Sequence, residues 1–259
     1  MRFKISLQVN KSAYGNLLPL NYQYELSAVI YKILSRSDQT YTEWLHNNGF
    51  TGLANQKKFK LFCFSRLNVE KFRLLKESAR LEILSDKVSW ELSFLPENST
   101  SKFVQGLFSN QVFEVGDRCS SVQFKVERIE AMAPPPLSTE MTFETLSPIC
   151  LRVHRPDGST EYISPLHERA EEAIRYGLIN RYEAFYNKPY MGEDFFQFEP
   201  INTPKSALIT IKAGTPFETK VKGFMCRFRV KAPVELMHIL YESGIGEQCS
   251  QGFGYLRSL

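Results

Sequence analysis

The sequence lacks any long run of apolar residues. None of its apolar stretches approaches the roughly 18 residues that a membrane-spanning helix requires. The segment Met1–Val9 alternates apolar and polar side chains, so it does not form the continuous apolar centre of a signal peptide. These absences argue against a membrane-spanning or secreted protein, and we expect a cytoplasmic one.

Cysteine is scarce and is not spaced for metal binding. The five cysteines are odd in number and form neither a CxxC pair nor a Cys/His ligand spacing. This pattern predicts reduced, mostly buried thiols rather than disulfide bonds or a zinc site. The sequence also lacks the GK[ST] of a nucleotide-binding P-loop, and no carboxylate cluster suited to two-metal chemistry stands out. We therefore expect no metal and no cofactor.

What the sequence does contain is an ordinary globular composition and one clear linker. Of its 259 residues, 43% are apolar and 23% are charged, which fits one large or two modest domains. Three consecutive prolines within 133–139 cannot continue a helix or a central strand, and they favour a stiff connector. This pattern predicts a first domain at 1–132, a proline-rich linker at 133–140 and a second domain at 141–259.

The hydrophobic patterns occur in the same order in both halves. In the first half, an opening strand precedes helical patterns at 21–36 and 39–47, a strand-like segment at 58–66, a hairpin at 80–95, a helix at 97–109 and a strand around 112–130. In the second half, strand-like stretches precede a helix at 167–187, a hairpin of 206–213 with 219–230, a helix at 233–243 and a strand at 252–257. The predicted order of strands and helices in each half is therefore β, α, ββ, α, β. This order predicts an α+β fold of two tandem ferredoxin-like (RRM-like, βαββαβ) domains.

Positive charge is concentrated in two blocks. Residues 57–80 and residues 205–231 each carry a net charge of +6, whereas the whole chain carries +4. Two basic blocks at matching places in two halves favour a surface that binds a polyanion. Arg227 and Arg229 alternate with apolar residues, so both point to one face of a strand that can hold RNA phosphates. Lys222 is a further candidate contact in the same block.

Four glycines near the C-terminus form the most specific motif. Gly244, Gly246, Gly252 and Gly254 make two Gly-apolar-Gly triplets, separated by five residues, between a predicted helix and the last predicted strand. Glycine tolerates positive φ and close backbone approach, which suits backbone N–H groups that grip a phosphate. The order of elements and the spacing differ from those of the dinucleotide-binding GxGxxG fingerprint. These four glycines are therefore candidates for contacts to a phosphate group.

The glycine motif resembles the glycine-rich loop of the repeat-associated RNA-binding superfamily of CRISPR systems. Within that superfamily, the chain is similar over essentially its whole length to the CRISPR-associated endoribonucleases of the Cas6 type. The residues that carry this similarity are Met1-Arg-Phe-Lys-Ile, Tyr22-Gln23-Tyr24, Leu26, Ile30-Tyr31, Trp44-Leu45-His46 and the segment from Phe143 to Pro148.

The resemblance implies a metal-independent endoribonuclease that binds CRISPR repeat RNA and cuts precursor CRISPR RNA within each repeat. A ribose 2′-OH would attack its own 3′-phosphate and leave a 2′,3′-cyclic phosphate and a 5′-OH. This reaction needs a base for the 2′-OH proton, an acid for the leaving oxygen and a cation for the charge on phosphorus. The resemblance also suggests subunits of a CRISPR effector complex as partners, and a monomer or a homodimer.

The resemblance assigns His46, Tyr31 and Lys60 to the catalytic site. His46 suits the base because an unperturbed imidazole has a pKa of about 6.5. Tyr31 shares a helix face with Tyr24, opposite the apolar stripe, so we expect it to point away from the core with its hydroxyl near His46. It can orient the phosphate, act as the acid or share the role of base.

The lysine of the site has three candidates. Lys60 directly precedes a Leu-Phe strand start, as the matching lysine does in the family, and it ranks first. Lys58 ranks second, and Lys57 lies within short reach. Lys58 and Lys57 are also candidate RNA contacts.

Two other functions stay open. A non-catalytic subunit that holds guide RNA inside an effector complex would need the RNA-binding surface but not the pairing of a base with a cation. A generic tandem RNA-recognition protein would expose aromatic residues on its central strands, for which Phe59 or Phe62 are candidates. That last alternative leaves the glycine motif unexplained.

Overall fold

The computed structural model describes residues 1–53, 56–155 and 157–259. The first half is built on a five-stranded antiparallel sheet against which helices pack. Its elements in chain order are β1 (Arg2–Asn10), α1 (Lys11–Tyr14), β2 (Leu17–Pro19), α2 (Gln23–Ser37), α3 (Gln39–Asn47), β3 (Phe50–Thr51), β4 (Lys58–Phe59), β5 (Phe62–Phe64), β6 (Phe72–Leu75), β7 (Arg80–Ile83), β8 (Lys87–Phe94), α4 (Glu97–Ser109), β9 (Val112–Gly116) and β10 (Ser121–Met132).

The main sheet of the first half forms because alternate residues of its strands are apolar. Phe3, Ile5, Leu7 and Val9 of β1 are buried, and the residues between them lie on the opposite face of the sheet. The strand order is β5-β8-β1-β10-β9, with β1 paired antiparallel to both β8 and β10. With α2 and α4 as the two crossover helices, this is a βαββαβ unit.

Helices α2 and α4 approach each other closely at Gly106. A Cβ at Gly106 would lie 1.9 Å from the carbonyl oxygen of Ile33, so only glycine fits at this contact. The apolar stripe of α2, with Leu26, Ile30 and Ile33 fully buried, faces the sheet as predicted. This packing fixes α2, which carries one of the candidate site residues.

The second half repeats the architecture with a four-stranded sheet of order β14-β17-β11-β18. Helices α5 and α6 are its crossover helices, and a 3-10 turn at Cys249–Gln251 precedes the last strand. Its elements in chain order are β11 (Glu140–Thr145), β12 (Arg152–His154), β13 (Thr160–Tyr162), α5 (Ala170–Tyr186), β14 (Gln197–Pro200), β15 (Lys205–Ile211), β16 (Thr219–Met225), β17 (Arg227–Lys231), α6 (Val234–Ser243) and β18 (Leu256–Ser258). The predicted α+β class with two tandem ferredoxin-like units is confirmed.

Two predicted strands are broken in the structure. The segment 58–66 divides into β4 and β5, because Leu61 between them has a φ of +55° that no strand accommodates. The segment 219–230 divides at Cys226, and its two parts, β16 and β17, belong to different sheets. The predicted hairpin at 80–95 is wrong as well, since β7 pairs with β2 and β6 while β8 pairs with β1 and β5.

The two halves are joined by a buried cation. The guanidinium group of Arg2, on β1, donates to the carbonyl oxygens of Tyr241 and Leu256 in the second half. It also lies over the rings of Tyr241 and Tyr255, at 3.5 Å and 4.5 Å from their centres. The start of the first sheet is therefore fastened to α6 and to the strand that follows the glycine motif.

All five cysteines are free thiols, and Cys63, Cys150 and Cys226 are buried, whereas Cys119 is exposed. The prediction of mostly buried cysteines is confirmed. Among the described residues, no three His, Cys, Asp or Glu side chains are grouped as a metal site would require. No helix in the same part of the chain has the length and apolar character needed to cross a membrane.

Candidate active site and RNA-binding surfaces

Helix α3 carries His46 in its last turn, and Asp38 fixes the start of this helix. The Asp38 carboxylate accepts the backbone N–H of Tyr41 at 2.8 Å and pairs with the ammonium group of Lys102. A side chain that caps the first turn satisfies a donor that the helix would leave unpaired. Leu45 is fully buried and holds α3 against the first core, while the His46 side chain is exposed. The backbone of α3 at His46 is thus firmly positioned, and the imidazole is open to a ligand.

Tyr31 lies beside His46, but not in the way that the sequence predicted. The two rings meet edge to face with their centres 5.1 Å apart. Tyr31 also packs against Phe62, with 5.7 Å between ring centres, and it is half-buried against the first core. The prediction that it points away from the core is therefore wrong. Burial raises the pKa of the Tyr31 hydroxyl well above its usual value, so the phenol is protonated at neutral pH and can donate a hydrogen bond.

Two of the three candidate lysines contact the C-terminal end of α3, the helix that carries His46. The Lys60 ammonium group donates to the backbone carbonyl oxygen of His46 at 2.7 Å, and that of Lys58 donates to the next carbonyl at 3.2 Å. Partial burial lowers the pKa of Lys60, and the neighbouring charge of Lys58 lowers it further. Lys57 points elsewhere and pairs with Glu247 of the glycine motif at 2.6 Å.

The sharp turn after α3 makes this convergence possible. Gly49 has a φ of +66°, and a Cβ at this position would lie 2.5 Å from the carbonyl oxygen of Phe59. A residue other than glycine would therefore push the lysine-bearing segment away from the helix. The structure thus brings His46, Tyr31 and Lys60 together, with Lys58 beside them, and their catalytic roles stay predictions.

The glycine motif is tightly packed, and its backbone donors are largely used within the protein. All four glycines have positive φ angles, between +69° and +91°. The N–H groups of Gly244, Gly252 and Gly254 donate to carbonyl oxygens at 3.1, 3.2 and 2.8 Å. A Cβ on Gly246 or on Gly254 would lie only 2.4 or 2.0 Å from a backbone oxygen. This corrects the expected physical role, because three of the four N–H groups are not free to grip a phosphate.

Arg181 is a residue of this region that the sequence did not reveal. It lies on α5 and is 4% exposed, and its guanidinium group donates to the carbonyl oxygens of Ser243, Gly244 and Gly246 at 3.2, 2.5 and 3.0 Å. A buried arginine satisfied by several carbonyl oxygens holds the glycine motif in one conformation. The only sequence signal is an arginine at a buried position of an amphipathic helix, which is too weak to single out.

The predicted basic strand face exists, but carboxylates neutralise much of it. Arg227 and Arg229 are both exposed on the same face of β17, as predicted. Arg227 lies 3.3 Å from Glu144, and Arg229 lies 3.4 Å from Glu199 and 3.6 Å from Glu140. These acidic residues come from the neighbouring strands β11 and β14, which no local count of charge includes. Lys222 lies in the separate β15–β16 sheet, with its ammonium group 5.5 Å from the ring centre of Phe224.

The exposed aromatic residues expected of a generic RNA-recognition sheet are not found at the two candidate positions. Phe62 is fully buried in the first core, and Phe59 is half-buried against the second core. This observation removes the main support for the generic tandem RNA-recognition protein.

Comparisons with known proteins agree with this architecture. Two family models match, "CRISPR-associated protein Cas6, N-terminal" over residues 17–130 and "CRISPR associated protein Cas6, C-terminal" over residues 132–258. The chain belongs to the Cas6 family. A relative from Methanocaldococcus jannaschii, named "CRISPR-associated endoribonuclease Cas6 1", is 28% identical over 98% of this chain and 91% of its own length. The two family models meet at the end of β10, just before the proline-rich segment.

Other Cas6-like proteins are about equally similar. A Pyrococcus horikoshii relative named as an endoribonuclease-like protein, Cas6nc, is 26% identical and covers 99% of both chains. A solved structure described as "An RAMP protein binding different RNA substrates" has a TM-score of 0.82 and 25% identity, covering 100% of this chain and 99% of its own. The Cas6 fold is therefore shared by relatives whose names differ in the activity they state.

Proposed function

We propose that this protein binds the repeat RNA of a CRISPR array and cuts it once within each repeat, without a metal ion, by attack of a ribose 2′-OH on the adjacent 3′-phosphate. The observation that carries the proposal is the meeting of His46, Tyr31 and Lys60 at the exposed end of α3. This arrangement supplies an imidazole, a protonated phenol and an ammonium group within a single small region. Membership of the Cas6 family, which includes relatives named as endoribonucleases, supports RNA as the substrate.

The reaction moves two protons, one from the attacking 2′-OH and one to the leaving 5′-oxygen. A bond forms between the 2′-oxygen and phosphorus, and the bond from phosphorus to the 5′-oxygen breaks. His46 accepts the proton of the attacking 2′-OH, and Lys60, whose pKa burial lowers, donates a proton to the leaving 5′-oxygen. The Tyr31 hydroxyl donates a hydrogen bond to a phosphate oxygen, and the charge of Lys58 stabilises the developing negative charge. The products are a 2′,3′-cyclic phosphate and a 5′-OH.

The cleavage test uses RNA carrying the repeat of the host's own CRISPR array, in buffer containing EDTA. We expect His46→Ala to reduce the single-turnover rate by about 10² to 10⁴, the usual contribution of a general base. A matched control is His154→Ala, which removes another exposed histidine, on β12, and leaves the rate unchanged. RNA with a 2′-deoxy nucleotide at the cut position resists wild-type protein. Cutting that continues on the deoxy RNA, or only with added Mg²⁺, contradicts the mechanism.

A second candidate function is a non-catalytic subunit that holds guide RNA. It is favoured by the similarity to a relative named only as endoribonuclease-like, which covers the chain as completely as the named endoribonuclease does. The same assay separates the two. Wild-type protein that binds the repeat RNA tightly and leaves it uncut is the subunit, and His46 is then a surface residue.

A further inference from the structure

A cleft of about 800 Å³ lies beside α3, between the two halves of the chain. Residues of α3, β3, the start of α4 and the end of α5 form its walls. Five of its lining side chains are aromatic: Tyr41, Trp44, Phe50, Phe185 and Tyr186. Trp44 and Tyr186 expose 38% and 44% of their surface. Its size is that of a small-molecule pocket, and its lining has more flat rings than aliphatic chains.

The aromatic residues form a continuous wall that spans both halves. Trp44 contacts Tyr41 and Phe50, with ring centres 5.5 and 5.3 Å apart. Phe50 in turn lies 6.3 Å from Phe185, which lies 4.8 Å from Tyr186. Each ring packs against the next, and Trp44 and Tyr186 remain partly exposed at the surface of the cleft. An aromatic wall of this kind suits the stacking of a flat ring.

Among the described residues, one amine without a carboxylate partner lies at the end of this aromatic wall, although the charges around the cleft are otherwise balanced. The Lys102 ammonium group lies 5.2 Å from the ring centre of Tyr41 and is paired with Asp38. That of Lys188 lies 5.5 Å from the ring centre of Tyr186, and within the described part of the chain it forms no ion pair. Glu97 is the only carboxylate among the described lining residues. Flat rings with an unpaired amine at one end match a nucleotide, which joins a base to a phosphate.

The cleft also adjoins the candidate active site. Trp44 and His46 are two residues apart on α3, so their side chains leave opposite flanks of one helix whose full width is about 10 Å. A strand of RNA that crosses the exposed side of α3 therefore reaches both. We propose that the aromatic cleft is a stacking site for unpaired bases of the RNA that flank the bond to be cut. This inference rests on the proposed function, and it adds a base-binding site to the cleavage site.

The test measures RNA binding and the fluorescence of Trp44. The probe is the host's repeat RNA with a 2′-deoxy nucleotide at the cut position, so that binding occurs without cutting. We expect Trp44→Ala to weaken binding roughly 5- to 150-fold, as alanine replacement of a stacking residue does, and Trp44→Phe to retain most of the affinity. Phe108→Ala, which removes an exposed aromatic residue at the far end of α4, leaves the affinity unchanged. Melting temperatures of all three variants confirm that each one folds.

A series of single abasic sites in the probe then locates the stacked bases. An abasic site close to the cut position weakens binding to wild-type protein, and it has little further effect on Trp44→Ala because the lost contact is the same. The only other tryptophan, Trp90, is fully buried, so quenching on RNA binding reports Trp44 and disappears in Trp44→Phe.

Three results overturn the inference. Unchanged affinity of Trp44→Ala for RNA that wild-type protein binds and cuts removes the stacking site and leaves the proposed function standing. Equal quenching by free AMP identifies a mononucleotide site instead. Quenching that depends on protein concentration without RNA identifies the cleft as a contact between copies of the chain. A wild-type protein that neither binds nor cuts the repeat RNA is the separate failure of the proposed function.

Discussion

Replacing Arg181 by methionine tests whether this buried cation holds the glycine motif in place. Methionine keeps the length of the aliphatic stem but offers no donor to the carbonyl oxygens of Ser243, Gly244 and Gly246, which receive hydrogen bonds from Arg181 at 3.2, 2.5 and 3.0 Å. With the side chain only 4% exposed, water does not reach these oxygens without local opening. The substitution therefore leaves buried acceptors unsatisfied.

The size of the effect follows from those hydrogen bonds. A hydrogen bond to a charged group contributes about 1.5 to 3 kcal/mol, and the lower value applies here because the acceptors are neutral. Part of the loss is offset, since the variant no longer has to dehydrate a guanidinium group. We expect the free energy of unfolding to fall by about 3 kcal/mol, which lowers the melting temperature by roughly 6 to 12 °C in a chain of this size.

The assay is thermal unfolding followed by circular dichroism, with a matched control on the same helix. Arg175→Met removes a partly exposed arginine of α5 that pairs with Asp194 at the surface, and we expect a change of less than about 1 kcal/mol. Arg181→Lys is intermediate, because an ammonium group reaches fewer of the carbonyl oxygens than the guanidinium fork. If Arg181→Met unfolds within 2 °C of the control, on the order of one kilocalorie or less, the reasoning that this arginine holds the motif is refuted.

Two other predictions concern the cations. Lys60→Met lowers the single-turnover cleavage rate by about 10² or more, whereas Lys58→Met lowers it less. Lys60 is the more buried of the two, and its ammonium group donates to the backbone carbonyl oxygen of His46. Equal losses in the two variants contradict this ranking. Glu144→Gln frees Arg227 and Arg257 from their shared carboxylate. We expect this variant to bind RNA more tightly and with a steeper dependence on salt, as measured by filter retention between 50 and 200 mM salt. An unchanged salt slope shows that RNA does not touch this strand face.

The sequence predicted the parts of the fold that depend on local periodicity. Helix α3 begins and ends where the pattern placed it, since Asp38 is a strong cap and Gly49 a strong stop. Strand pairing was harder to predict from the sequence, because β7 and β8 resemble the two strands of one hairpin but belong to different sheets. The choice of partner for a strand depends on residues far away in the chain, which no local pattern contains.

The same limit applies to the candidate site. The juxtaposition of Tyr31 and His46 could be predicted from a resemblance, but the burial of Tyr31 against Phe62 could not, because Phe62 arrives from a strand 31 residues later. The positive charge of β17 was overestimated from the sequence for a related reason. Its carboxylate partners, Glu144 and Glu199, lie 83 and 30 residues away from the arginines that they pair with.

The glycine motif is coupled to the candidate site through α2. Ser27 donates a hydrogen bond to the carbonyl oxygen of Ser250 in the motif at 2.7 Å, and a Cβ on Gly252 would lie 2.7 Å from the Cβ of Gln23. Tyr31 follows Ser27 by one helical turn on the same face. A larger residue at Gly252 therefore pushes on the helix that positions Tyr31. Loss of cleavage in such a variant is expected even if the motif never touches RNA, so only a binding measurement separates the two roles of this loop.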